Sequence, residues 1–369
     1  MEEHLVKINK WLYPVSFLYG MGAGLRNKLF DWGILRSKSF DIPIVCVGNL
    51  TVGGTGKTPH IEYLVRLLQD KYRIAVLSRG YRRKTNGYVL AGPESNARSI
   101  GDEPCQIKNK FPRISVAVDG KRVRGINNLL KPEEPGGIET ILLDDAFQHR
   151  YVNPGLNILL TDYHRLFCDD TLLPAGRLRE SEKGKSRAQI IIVTKCPADI
   201  KPIDFTAIAE RLRLYPYQKL FFSSLQYGRL TPVFPESGIT ERELPSLKSA
   251  EQVLLVTGIA SPAVMEEEIR KYTCRMELLS FGDHHNFGNK DIRLITEQFH
   301  KSEGEKLIIT TEKDAARLAA HPAVGKELKK HIYALPVEVK ILQDQEDTFN
   351  KIIIEYVGKN KRNSIFSEK

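Results

Sequence analysis

Several short runs carry residues whose types and spacing suit chemistry on phosphates. The strongest is I-V-C-V-G-N-L-T-V-G-G-T-G-K-T-P, which reads as a buried strand, a glycine-rich turn and a helix start. Gly56, Lys57 and Thr58 close it as a Walker A loop closes. There, backbone N–H groups wrap phosphate oxygens, the lysine reaches the β- and γ-phosphates, and the threonine hydroxyl binds Mg²⁺. Gly53, Gly54 and Gly56 let the backbone approach a phosphate with no Cβ in the way. Thr51 stands where the pattern G-x-x-x-x-G-K-[ST] has its first glycine. A flexible turn is the competing reading, and the strand before and helix after weigh against it.

A second run, T-I-L-L-D-D-A-F-Q-H-R, ends a hydrophobic strand in Asp144 and Asp145. That matches a Walker B element, whose carboxylate holds Mg²⁺ directly or through water. Gln148 and His149 follow one helical turn later and are expected to face the same cleft. G-D-E-P offers Asp102 and Glu103 as metal ligand and as base toward a hydroxyl, although the four residues alone also make a common turn. S-R-G-Y-R-R-K, residues 78–84, places Arg79, Arg82, Arg83 and Lys84 after a strand, where α/β sheets bind ligands. A solvated basic loop is the alternative. In F-G-D-H-H-N-F, adjacent histidines point apart, so one histidine acting with a carboxylate fits better than a two-histidine metal site. The P-loop also resembles those of deviant-Walker partitioning ATPases, but Val52 stands where their signature lysine belongs. In V-T-K-C-P, Pro197 occupies the position of the aspartate that reads guanine, so adenine nucleotide is preferred.

These runs need an α/β frame, and the rest of the sequence supplies one. Apolar β-branched runs expected as strands are 42–47, 74–77, 114–118, 140–143, 157–160 and 190–194, with helices such as 59–71 between them. Unbroken runs such as I-I-I-V fit strands buried on both faces of a parallel sheet. The expected fold is α/β: two α/β/α domains, the first a P-loop doubly wound, mostly parallel sheet and the second smaller, preceded by a membrane-associating N-terminal helix. The expected division is 1–38 for the N-terminal segment, 39–200 for the P-loop domain, 201–358 for the smaller domain and 359–369 for a frayed tail. In the second half, strands are expected at 219–224, 253–257, 276–280 and 306–310.

Composition limits the partners. With 369 residues, 41% hydrophobic and 27% charged, the chain reads as globular and larger than one core. Its net charge of +10 points to an anionic partner such as nucleic acid, lipid headgroups or a phosphorylated substrate. The five cysteines are scattered with no C-x-x-C pair, which fits isolated thiols in a reducing compartment. From Trp11 to Leu25 the chain is uncharged and rich in aromatics and glycines, too short to span a bilayer. Composition alone suits equally a segment lying among lipid headgroups and a helix packed on the protein.

The ordered set V-G-N-L-T-V-G-G-T-G-K-T-P, S-R-G-Y, G-D-E-P, L-D-D-A-F-Q-H and D-H-H-x-F closely resembles the tetraacyldisaccharide 4′-kinase family of lipid A biosynthesis, over nearly the whole chain. The resemblance implies a kinase that uses Mg²⁺ and ATP to phosphorylate the 4′-hydroxyl of an acylated glucosamine disaccharide 1-phosphate. It implies work at the cytoplasmic face of the bacterial inner membrane as a peripheral protein, with an active site between two domains. The P-loop maps onto Thr51, Val52, Gly53, Gly54, Thr55, Gly56, Lys57 and Thr58, so the missing first glycine is a family trait. Asp102 maps as the base, with His284 and Lys57 as its catalytic partners. Glu103, Asp144, Asp145 and Thr58 map to the metal, with His285 an open alternative to His284. Arg79, Arg82, Gln148, His149, Arg177 and Glu180 are the expected substrate-binding residues. Ala146 replaces the family's usual glycine and asks for a different turn. With this resemblance the basic charge and the aromatic N-terminus favour the membrane-surface reading of residues 11–25.

Two other functions are open to the sequence. A P-loop ATPase or GTPase switch on a protein partner would hydrolyse nucleotide without a lipid acceptor. A nucleic-acid-binding protein fits the charge, but no recognition motif is present and the basic residues are dispersed. No nucleic acid and no protein partner is therefore expected.

Overall fold

The computed structural model describes residues 8–131, 137–197, 199–248, 250–259, 262–282, 285–301 and 304–367, with side chains described as far as residue 359. The chain forms two compact units, Met1–Leu225 with Val339–Lys369, and Gln226–Glu338.

The first unit is built on a nine-stranded sheet. In chain order its strands are β1 (Ile44–Asn49), β2 (Ile74–Ser78), β3 (Val89–Leu90), β4 (Ser115–Val118), β5 (Thr140–Asp144), β6 (Leu156–Asp162), β7 (Ile190–Thr194) and β8 (Lys219–Tyr227), with Val337–Ile341 returning at the far edge. The spatial order runs from that returning strand through β8, β7, β6, β1, β5, β2 and β4 to β3. The pairs from β8 to β4 are parallel, and β3 runs antiparallel to β4. β1, β2, β5 and β7 are buried along their whole length, as strands covered by helices on both faces must be. The chain leaves β1 toward β2 on one side and later adds β6 on the other. The carboxyl end of β1 is therefore a topological switch point, where open α/β sheets bind ligands.

The expected division at residue 200 is moved by the structure. Lys219–Tyr227 extends the first sheet, because I-I-I-V in β7 still has an open edge and Phe221 and Phe222 supply side chains for both faces. After residue 338 the chain rejoins the first unit. Phe349, Ile353 and Val357, spaced one turn apart, bury the inner face of a C-terminal helix, Glu346–Ser367. Tyr356 on that helix donates its hydroxyl to Ile44 O at 3.1 Å and accepts from Ile44 N at 3.2 Å. The helix runs on to Ser367, through residues expected as a tail, since no proline or glycine follows Gly358 to stop it.

Residues 11–25 fall within η1 (Lys10–Leu12) and a long helix, α1 (Tyr13–Asp31), docked on the first unit. Its inner face buries Ser16 and Phe30. Ser16 Oγ donates to Leu172 O at 3.0 Å and accepts from Ala175 N at 2.9 Å, while Tyr19 donates to Arg179 O at 2.8 Å. Its outer face is apolar: Phe17, Leu18, Met21 and Leu25 are each more than half exposed, as is Trp11 in η1 before it. Among the described residues no helix is long and apolar enough to cross a membrane.

The second unit has a five-stranded sheet, ordered Met276–Ser280, Gln252–Thr257, Lys306–Thr311, Ile332–Leu335 and Thr231–Pro232, parallel except for the last strand.

Candidate active site

β1 ends at Asn49, a loop follows, and the helix α2 (Lys57–Leu68) begins on Lys57. Gly53 and Gly56 take φ of 115° and 79°, backbone that side chains rarely adopt, so the expected glycines are needed where they stand. The segment Arg177–Arg179 straps the start of the loop. Val52 N donates to Arg177 O at 2.7 Å and Arg179 N donates to Leu50 O at 2.7 Å, with Thr51 bridged to Leu178. Thr51 and Val52 were expected among the phosphate-binding residues, but this strap engages the Val52 N–H and buries Thr51. Farther along, Asn49 Nδ2 donates to Thr55 Oγ1 at 2.9 Å, and Thr194 Oγ1 donates to Thr55 O at 3.0 Å.

The carboxylates lie on the neighbouring strand. β5 runs parallel to β1 with Val47 opposite Asp144, which brings Asp144 to the mouth of the loop. Asp144 is buried, and Ser78 Oγ donates to it at 3.1 Å. Burial, with the Asp145 and Glu103 charges adding to it against the opposing pull of Lys57, raises its pKa to about 6. Asp145 stands at φ 48° and meets Lys57 Nζ at 3.5 Å and Arg179 at 3.0 Å. Burial pushes its pKa up, but Lys57 and Arg179 outweigh that and hold it below the usual carboxylate value. Ala146, at which the resemblance implied a different turn, is not among the positive-φ residues; the strained position of the turn is Asp145. No helix follows Asp145, so Gln148 and His149 sit in a turn and not one helical turn on, closed by His149 N donating to Ala146 O at 2.8 Å. Among the described residues no three His, Cys, Asp or Glu side chains gather as metal ligands. A Mg²⁺ held here by Thr58 and these carboxylates would take its other oxygens from phosphates and water, as Mg²⁺ commonly does.

The S-R-G-Y and G-D-E-P runs meet backbone to backbone at Gly80 and Gly101. Asp102 and Glu103 then form the first turn of the helix Asp102–Lys110, both half-buried, with the Glu103 charge felt at Asp144. Arg79 and Arg82 are exposed. Arg83 turns inward to Thr85 Oγ1 at 3.3 Å and Gly87 O, so it holds the loop instead of serving as the expected phosphate clamp. Arg177 is exposed, while Glu180 is buried: it accepts from Arg187 at 2.7 Å, Asn27 at 3.0 Å and Gln148 at 3.1 Å. Gln148 also donates to Asn49 O at 2.7 Å. His149 is held to a pKa of about 4, first by burial and then by the charges of Arg122, Arg26 and Arg79.

Three residues at the site carry no signal that motif reading uses. Asn49 sits inside the P-loop run but shares no position with the Walker pattern. Arg122 lies in no motif, and it is buried with bonds to Asp119 O at 2.6 Å and Asp144 O at 3.1 Å. Arg179 shares G-R-L-R-E with Arg177, and only the fold shows which arginine meets Asp145.

In the second unit, Asp283 and His284 lie outside the described residues. His285 is committed locally: its Nε2 lies 2.9 Å from Asp291 Oδ2, its ring stacks on Phe281, and its carbonyl accepts from Arg317 at 3.0 Å.

Comparison with known proteins agrees along the chain. The family described as tetraacyldisaccharide-1-P 4′-kinase matches residues 8–357. A tetraacyldisaccharide 4′-kinase of Bacteroides thetaiotaomicron is 64% identical, over 100% of this chain and 98% of that one. One of Flavobacterium johnsoniae is 44% identical, over 96% and 98%. A crystal structure of LpxK from Aquifex aeolicus in complex with ATP superposes with a TM-score of 0.73 at 29% identity, covering 94% of this chain and 98% of that one. With a family model matching residues 8–357 and a relative 64% identical along the whole chain, the chain belongs to the tetraacyldisaccharide-1-P 4′-kinase family.

Proposed function

We propose that this protein transfers the γ-phosphoryl group of ATP to the 4′-hydroxyl of a tetraacyldisaccharide 1-phosphate, the step that forms the 4′-phosphorylated lipid A core. The observation that carries this reading is the convergence of Lys57, Asp144, Asp145 and Glu103 at the mouth of one P-loop in a chain 64% identical to a protein of that name. Phosphoryl transfer needs little covalent help from a protein and depends on positioning and charge. Lys57 neutralises the β- and γ-phosphates. Thr58 and carboxylates drawn from Glu103, Asp144 and Asp145 would hold Mg²⁺, which would supply further neutralisation there when bound. The acceptor oxygen forms its bond to phosphorus as the bond to the bridging oxygen of ADP breaks, and Asp102 takes the hydroxyl proton. His284 is the second catalytic residue in this reading; the local engagement of His285 supports His284 over its neighbour.

The exposed Arg79, Arg82 and Arg177 and the nearby His149 and Gln148 suit an anionic sugar acceptor, with Glu180 positioning Gln148 from beneath. The bare apolar side of α1 suits attachment among headgroups and so supports the reading of a peripheral protein, which the family resemblance puts at the cytoplasmic face of the inner membrane. An assay with radiolabelled ATP and the lipid disaccharide tests the function. The intact protein should label the acceptor, and folded Lys57→Ala should lose at least about 10²-fold in rate. Nucleotide hydrolysis that proceeds equally without acceptor would instead favour the switch reading.

A further inference from the structure

The helix Asp102–Lys110 carries the proposed base, and it has only nine residues. A helix that short has marginal stability of its own, so tertiary contacts must set its rotation and depth. One contact joins it directly to the nucleotide-binding helix. Glu62 on α2 is 1% exposed and reaches across to two residues one turn apart: Gln106 Nε2 donates to Glu62 Oε1 at 2.8 Å, and Lys110 Nζ donates to Oε2 at 2.7 Å. Arg66, one turn along α2, adds its guanidinium at 3.7 Å. Gln106 and Lys110 follow Asp102 at four-residue intervals, so all three lie along one side of their helix.

A carboxylate this deeply buried costs several kcal/mol in desolvation, and an apolar pair at the same place would pack at least as well. What apolar packing lacks is direction. Two hydrogen bonds to positions one turn apart fix both the rotation and the axial position of the short helix relative to α2. α2 begins at Lys57 and Thr58; the short helix begins at Asp102 and Glu103.

We propose that Glu62 is a positioning residue for phosphoryl transfer: its buried carboxylate locks the helix that presents Asp102 and Glu103 to the helix that presents Lys57 and Thr58. The inference rests on the reading of Asp102 as base. It concerns the distance between base and phosphate, so removing Glu62 should affect kcat and leave nucleotide affinity alone.

The test compares Glu62→Gln, Glu62→Leu, Lys110→Met and the double variant Glu62→Leu/Lys110→Met in full-length protein, measuring kcat, KM for ATP and thermal unfolding. Glu62→Gln keeps two hydrogen-bonding groups and should retain most of kcat. Glu62→Leu should lower kcat about 10- to 100-fold, the scale for a misplaced catalytic group, with KM for ATP within about twofold. The double variant removes the Glu62–Lys110 pair whole, leaving among the charged groups only the partly exposed Arg66 without Glu62, so its stability should return toward the parent while kcat stays low. Recovery of kcat together with stability in the double variant would overturn the proposal, as would a loss seen in KM for ATP alone. Asp102→Ala measured beside them separates the premise: near-normal kcat there removes the base assignment itself, whatever the Glu62 variants do.

Discussion

Gly80 and Gly101 touch through their backbones, and this contact joins the arginine-bearing loop to the helix of Asp102. A Cβ on Gly101 would lie 3.2 Å from Gly80 Cα and 3.1 Å from Tyr81 O, and the φ of Gly101 is 96°. A Cβ on Gly80 would come within 2.9 Å of Ile100 O. Two motifs separated in sequence are thus held in register by the absence of two side chains.

Gly101→Ala should therefore be costly. Strain at positive φ and the close backbone contact together should destabilise the protein by about 1–3 kcal/mol and displace Asp102. Gly54→Ala provides the contrast, because its Cβ would meet nothing within 4 Å and its φ is ordinary. That variant should melt close to the parent while its nucleotide affinity falls. Thermal unfolding with nucleotide titration checks both, and equal stability of the two variants would count against the account.

Two buried histidines predict how stability varies with pH. His60 on α2 is held to a pKa of about 4 by burial, against the raising effect of its bond to Gly56 O. Its Nδ1 lies 2.7 Å from that carbonyl, which can only accept, so Nδ1 carries the proton and Nε2 accepts from Ser223 Oγ at 3.1 Å. His149 is depressed in the same direction. A depressed histidine contributes stability that is complete above its unfolded pKa near 6.5 and is lost as pH falls toward 4. For His60 alone this is on the order of 3 kcal/mol. Asp144 works the other way, because its raised pKa favours the folded state at low pH and that contribution fades as pH rises from about 4 to about 6. His60→Gln should flatten the melting temperature against pH between 4 and 6.5, and Asp144→Asn should steepen it. An unchanged profile in both would show that neither group titrates as its burial implies.

Much of this was legible beforehand, and the reasons for the exceptions are physical. The placement of the P-loop, Asp144 and Asp145 at the ends of β1 and β5 could be read because an apolar run marks each strand. The second-unit strand 276–280 was likewise found with its bounds unchanged. Short strands such as Val89–Leu90 and Thr231–Pro232 escaped because two residues carry no period. The return of the chain to the first unit was missed because V-E-V-K-I looks the same whichever sheet it joins. Buried charges were hardest: Glu62, Arg122 and Glu180 look like surface residues until the fold encloses them.

The outer face of α1 predicts attachment. Phe17, Leu18 and Met21 are 68%, 66% and 57% exposed, and Arg26 and Lys28 flank the run. Phe17→Ser/Leu18→Ser/Met21→Ser leaves the Ser16 and Tyr19 bonds in place, so the protein should melt nearly unchanged. Its flotation with vesicles containing anionic lipid should fall severalfold, and use of a vesicle-borne acceptor should fall more than ATP binding. Unchanged flotation would place the membrane contact elsewhere.

The last prediction concerns the proton. A sugar hydroxyl is a poor nucleophile, and a general base typically contributes about 10²- to 10⁴-fold. Asp102 stands at the start of its helix with the Glu103 charge beside it acting on Asp144, so the proposed base and the proposed metal carboxylate occupy adjacent positions. If His284 orients Asp102, the two act as a unit. Asp102→Ala/His284→Ala should then be little worse than the more damaging single variant. The competing account makes Asp102 a metal ligand only. Its loss would then raise the Mg²⁺ requirement, and excess Mg²⁺ would restore the rate. Turnover of both single variants and the double across a magnesium series separates these accounts, because losses that multiply, or rescue by magnesium, each exclude the dyad. The pH profile adds an independent reading: with Asp102 as base, its replacement should abolish the acid limb of kcat, whereas loss of a ligand should leave that limb in place.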